Sequence, residues 1–121
     1  MILVDTSVWI DHFRSQDNAL VTLLNNNLVL MHPHVLGELA CGNLTNRVKV
    51  LHLLAALPQI SVATDAEVHF FIEQRSLMGK GIGYIDTHLL AAVALDGSAK
   101  ILTRDKRLHK VAKNLSLEFT A

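Results

Sequence analysis

The sequence predicts an α/β fold: a three-layer sandwich with a mainly parallel sheet of four to five strands and helices on both faces. Two observations predict it. Short apolar runs without polar alternation recur along the chain, as in strands buried on both faces. Longer segments between them carry apolar residues at helical spacing, with capping residues at their starts. Strands alternating with helices give a parallel sheet covered by those helices.

Each element has its own reason. Ile2-Leu3-Val4 is the first buried strand. Thr6 and Ser7 can cap a short helix through about Arg14, and Asp17 or Asn18 a second helix ending near Asn25–Asn27. Leu28–Met31 reads as strand two. Pro33 suits the first turn of a helix that Gly42 stops, with Val35, Leu36, Leu39 and Ala40 on its apolar side and Glu38 among them. Leu44 to Leu57 reads as a helix broken by Pro58, and Ile60-Ser61-Val62 as a third strand. Thr64 and Glu67 make a capping-box pattern before Val68, Phe71 and Ile72. Gly79 to Gly83 is a glycine-rich loop, followed by a helix from about Tyr84 to Leu95 and a stop at Asp96-Gly97. Ile101-Leu102 is a fourth strand, Asp105 to Ala112 a helix, and Leu117–Phe119 a fifth, edge strand.

The chain has 121 residues, half of them hydrophobic, which suits a single domain over 1–121 with a proper core. No apolar run approaches the ~18 residues of a membrane span. The start, Met1 to Asp5, has no basic region or cleavage site of a signal peptide, so the expected address is the cytoplasm. Cys41 is the only cysteine, so no internal disulfide can form; it reads as a small buried helix residue. Formal net charge is zero, so the whole-chain balance names no partner. Its distribution says more. Arg104, Lys106, Arg107, Lys110 and Lys113 crowd together near the C-terminus. They fit either a solvated helix face or a patch contacting phosphates.

Sites in open parallel sheets form beyond the C-terminal ends of the strands. Asp5 directly follows strand one, Asp105 follows strand four, Asp86 lies in the first turn of its helix, and Glu38 is the one acid inside the apolar stretch Val35–Ala40. Each has an ordinary explanation: helix capping for Asp5, a favourable helix start for Asp86 and Asp105, a solvent-facing position for Glu38. Gathered in one cleft, the four would repel one another unless a cation compensated. Oxygen-only ligands select Mg²⁺ or Mn²⁺ over Zn²⁺, and such ions suit hydrolysis of phosphate esters.

Asp5-Thr6-Ser7 after a strand, a helical Glu38, Asp86 at a helix start with Ala91-Ala92 behind it, and Leu102-Thr103-Arg104-Asp105 together resemble the PIN-domain family. The compact length and the Leu-Val-Asp-Thr-Ser start look like its VapC toxins. The resemblance covers the whole chain, although Leu44 to Gly83 carries no matching motif. It implies a Mg²⁺- or Mn²⁺-dependent endoribonuclease that cuts with metal-activated water, forms a homodimer and is inhibited by a cognate VapB antitoxin. It implies Asp5 and Asp86 as principal metal ligands and Glu38 and Asp105 as completing the acidic site. Thr6, Ser7 and Thr103 match hydroxyl positions that orient ligands or waters. Arg104, Lys106, Arg107 and Lys110 become candidate RNA phosphate contacts.

Other residues have weaker patterns. His34 and Glu38 share a helix face at i,i+4, a spacing that can bind metal, but two residues make a weak case. His88 lies around the helix from Asp86 and reads as a packing or partner residue. Trp9, Phe13, Phe70 and Phe71 read as core or dimer packing, and Lys80 as an ordinary exposed loop lysine, with an approach to RNA as the alternative. Three competing functions are weighed. A haloacid-dehalogenase-type phosphatase needs a second Asp where Ser7 stands. A receiver domain needs an acidic pair and a strand-ending Lys that are not at the matching places. A non-catalytic PIN-like domain that binds RNA or protein would have no use for four acids.

Overall fold

A computed structural model describes residues 1–121. The chain runs β1 (Ile2–Val4), α1 (Thr6–Arg14), α2 (Asn18–Asn25), β2 (Val29–Leu30), α3 (Pro33–Ala40), α4 (Arg47–Ala55), α5 (Asp65–Arg75), α6 (Tyr84–Asp96), β3 (Lys100–Leu102) and α7 (Lys106–Asn114). The sheet order is β2-β1-β3, all parallel, with Leu3 paired to Leu30 on one side and to Ile101 on the other. Every residue of β1 and β2 is buried, which explains why their sequences are purely apolar.

Two single bridges extend the sheet, Met31 to Gln59 and Ile101 to Glu118, both parallel. They mark where the third and fifth strands were expected. Each pairs through one bridge only, because these lines lie at the edges, where Ser61 and Val62 are already exposed. The α/β class with a parallel sheet stands.

The chain leaves β1 toward β2 on one side and returns past it to β3 on the other. Right-handed crossovers in opposite directions cover opposite faces and open a crevice beyond the C-terminal ends of β1 and β3. Twenty-nine buried apolar residues form one core, to which α6 contributes Leu89 to Val93 without interruption. That helix is apolar all round because α5 and β3 both pack on it. The Thr64–Glu67 capping box forms, and Gly97 ends α6 at φ 84°, a conformation few other residues adopt.

Two readings need correction. The helix after Gly42 begins at Arg47, not Leu44, and the Arg47 guanidinium binds the carbonyls of Ala40 and Gly42 across the intervening turn. Cys41 is exposed, because it lies past the last turn of α3 rather than on its apolar side. No helix is long and apolar enough to cross a membrane.

Candidate active site

Asp5 leaves β1 at the sheet rim and is 5% exposed. It occupies the N-cap position of α1, yet its carboxylate makes no capping bond. Two hydroxyls donate to its Oδ2 instead: Ser7 Oγ at 2.8 Å and Thr103 Oγ1 at 2.8 Å. Thr103 follows β3, so this bond joins the two strand ends across the crevice. Its hydroxyl also accepts from the Asp105 N–H at 3.0 Å, and Ser7 Oγ accepts from the Arg104 N–H at 3.0 Å. A buried carboxylate needs such partners, and these come from both sides of the switch point.

The other three acids approach the same rim. Glu38 is exposed on α3, and its Oε1 accepts from Thr6 Oγ1 at 2.7 Å. Asp105 caps α7, its Oδ1 accepting from the Arg107 and Leu108 N–H groups. Asp86 Oδ2 accepts from the Gly83 N–H at 3.3 Å. Burial raises the Asp86 carboxyl above its ordinary range, and the negative charges of Asp5, Asp105 and Glu38 raise it further, against the lowering effect of the Gly83 bond. Asp86 is therefore near enough to each of the other three acids to feel its charge.

One pattern runs through the group. Each acid spends one oxygen on the fold, and no hydrogen bond falls on the other: Oδ1 of Asp5, Oε2 of Glu38, Oδ1 of Asp86 and Oδ2 of Asp105. The hydroxyls of Thr6, Ser7 and Thr103 thus orient carboxylates. No three acid, imidazole or thiol groups stand close enough to enclose a metal ion. The donor chemistry still fits a hard cation, since Mg²⁺ keeps several waters and takes only one or two carboxylates directly. An enclosing cage is not what such an ion requires.

The basic patch divides. Arg104 Nη2 lies 3.0 Å from Asp17 Oδ2 and is committed to that ion pair. Lys106, Arg107 and Lys110 are exposed. Arg107 crosses the glycine loop, where a Cβ on Gly81 would stand 2.9 Å from its Cδ. Gly81 has φ 81°, which requires the glycine, while the exposed Arg107 side chain can shift away from an added Cβ. We expect Gly81→Ala to cost about 1–2 kcal/mol by urea unfolding.

The histidines sit elsewhere than a metal reading of His34 with Glu38 requires. His34 faces the rings of His32 and His88, with centroids 5.0 and 4.8 Å away, while Glu38 faces Thr6. His88 is buried, as a packing residue should be, and its Nε2 reaches Asp65 Oδ1 at 3.0 Å. His32 is fully buried, and burial, with His34 and His88 nearby, lowers it to about 4. Trp9 and Phe71 join the core; Phe13 and Phe70 stay exposed, as does Lys80. Asp17 caps α2, as its position in the sequence predicts, and also holds Arg104; the Tyr84–Asp65 bond, 19 residues apart along the chain, carries no local sign.

Acids beyond the strand ends of a parallel sheet occur in several enzyme families, and likeness to known proteins separates them. The family model described as PIN domain matches residues 2–114. Two relatives, each called Ribonuclease VapC32, come from Mycobacterium tuberculosis strains CDC 1551 / Oshkosh and ATCC 25618 / H37Rv. Each is 51% identical over 108 residues, covering 89% of this chain and 87% of the relative. The chain belongs to the PIN-domain family and, within it, to the VapC ribonucleases.

Proposed function

We propose that this protein is a Mg²⁺- or Mn²⁺-dependent endoribonuclease, the toxin of a VapBC-type pair, formed by residues 1–121 as one PIN domain acting in the cytoplasm. The observation that carries the reading is the set of four unengaged carboxylate oxygens on Asp5, Glu38, Asp86 and Asp105 at one sheet rim. Asp5 and Asp86 would be the principal ligands of a bound ion, and Glu38 and Asp105 would complete the acidic site, partly through water. Once bound, the ion supplies an activated water and charge stabilisation for in-line hydrolysis that leaves a 5′-phosphate and a 3′-hydroxyl.

The protein's own groups do the positioning. Ser7 and Thr103 fix Asp5 in one orientation, and Thr6 does the same for Glu38. Preorganised ligands lose little freedom when the ion and RNA arrive. Lys106, Arg107 and Lys110 attract the phosphate backbone. We expect Lys106→Ala or Lys110→Ala to weaken RNA binding uniformly across sequences. The slope of log affinity against log salt should flatten by about 0.7 per lost contact for a single strand.

The VapB antitoxin and a second copy are the proposed protein partners. A groove of about 420 Å³ includes Glu38 in its lining along with Ile10, Phe13, Leu39, Leu44 and Val50. A chain segment seated there would cover an acid of the site. Phe70 and Leu95, 66% and 58% exposed, support the α5–α6 side as the proposed face for dimer contact.

The test is RNA incubation with Mg²⁺, Mn²⁺ or EDTA, beside thermal melting in the same solutions. Cleavage restricted to the metal samples, with a raised melting temperature, supports the reading. RNA binding with no cleavage in any sample would replace it with a non-catalytic binding domain.

A further inference from the structure

We propose that Tyr84 is a stacking shelf for an RNA base next to the cleaved phosphate, an inference that rests on the ribonuclease reading. Tyr84 opens α6, directly after the glycine loop. It is 44% exposed, yet it is fixed on several sides. Its hydroxyl donates to Asp65 Oδ1 at 2.9 Å. The His88 ring stands 4.8 Å away at 85°, and the His69 ring 5.7 Å away at 64°. Asp65 is held in turn by His88 Nε2 at 3.0 Å. The Tyr84 hydroxyl, ahead of His88, keeps the Asp65 carboxyl below its ordinary range.

A ring placed only for core packing would be buried. A side chain with no role would have no reason to be clamped by α5 and α6 together while the residue stays 44% exposed. Rigid aromatic surface is what a base needs, because it costs little ordering on binding. Single-stranded RNA is read through unstacked bases laid on aromatic side chains, and every base has a face that can stack.

Position selects the occupant. Tyr84 and Asp86 lie in the same first turn, separated by about 200° around the helix. The two side chains leave α6 on opposite sides, so an RNA strand with its phosphate at the acids has to round the N-terminal end of α6 for a neighbouring base to reach Tyr84. Lys80, exposed in the preceding loop, adds positive charge on that approach. His34 packs its ring against His88 and backs the cluster from α3.

The test uses the whole protein in EDTA and an unstructured RNA carrying 2-aminopurine, whose fluorescence is quenched by stacking. The wild type should quench it. Tyr84→Phe should keep most of the quench, and Tyr84→Leu should lose it and bind at least about tenfold more weakly. An RNA with an abasic position at the probe should bind the wild type about as weakly as the intact RNA binds Tyr84→Leu. This arm needs no variant, so it holds even if Tyr84→Leu folds poorly, which circular dichroism reports. Equal quenching by wild type and Tyr84→Leu, no loss on removing the base, or no RNA binding at all would overturn the proposal. Cleavage is read separately with Mg²⁺. Quenching without cleavage leaves the shelf standing and sinks the nuclease, and cleavage unaffected by Tyr84→Leu does the reverse.

Discussion

Asp5→Asn should lower metal-dependent RNA cleavage by about 10³-fold or more, while the folded protein survives. The two halves of that result have different causes. Cleavage falls because an amide carries no charge and binds Mg²⁺ far less well than a carboxylate, removing several kcal/mol of transition-state stabilisation. The fold survives because the amide oxygen can still accept from Ser7 and Thr103, which bind one carboxylate oxygen in the wild type. Asp5→Ala separates the effects further. It strands two hydroxyls at a buried position and should cost about 1–3 kcal/mol of stability in addition to the activity. Thermal melting in EDTA beside a cleavage assay in Mg²⁺ measures both. Near-normal cleavage by Asp5→Asn would remove Asp5 from the metal site.

The order of elements was legible because burial writes itself into composition. A strand covered on both faces has no use for polar residues, and Ile2–Val4 and Val29–Leu30 contain none. Helix boundaries came through where chemistry enforces them: Pro33 at a helix start, the Thr64–Glu67 capping box and Gly97 at positive φ. Edge strands were less legible. Ile60–Val62 and Leu117–Phe119 look like strands by composition, but composition does not say how many bonds an edge line makes. Arg47 was missed for a related reason. A guanidinium that caps the previous helix delays the next one, and no local pattern announces it.

The acids could be singled out because topology puts residues after parallel strands at one rim. What each carboxylate does there was not readable. Asp5 sits where a cap belongs and does not cap; Asp105 sits in the equivalent place and does. The difference is Thr103, 98 residues from Asp5 along the chain, which takes the Asp5 oxygen. Arg104 shows the same limit from the other side. By sequence it joins a basic patch, but Asp17 claims it across 87 residues. Tyr84 and His88 share an i,i+4 spacing, a visible sign that they touch, while Asp65 between them came only from the fold.

Asp86→Asn should act in opposite directions on stability and activity. Burial, then Asp5, Asp105 and Glu38, raise the Asp86 carboxyl above the 3.8 of a free aspartate. A carboxyl raised in the folded state favours the protonated form, so the fold holds its proton more tightly than the unfolded chain does. Stability contributed this way is present below the unfolded value and is lost as pH rises through the raised folded value. At neutral pH, without metal, Asp86 is thus a carboxylate held against its surroundings. Asparagine removes that charge and keeps an oxygen for the Gly83 N–H. In EDTA at pH 7 the variant should melt a few degrees higher, about 1 kcal/mol or less of added stability, and the gain should shrink as pH falls through the raised Asp86 value. In Mg²⁺ the order reverses. The wild type gains stability from the ion and the variant gains little, and the variant's cleavage falls by about 10³-fold. A variant that melts lower than wild type in EDTA would mean that the Gly83 bond, not repulsion among the acids, dominates at Asp86.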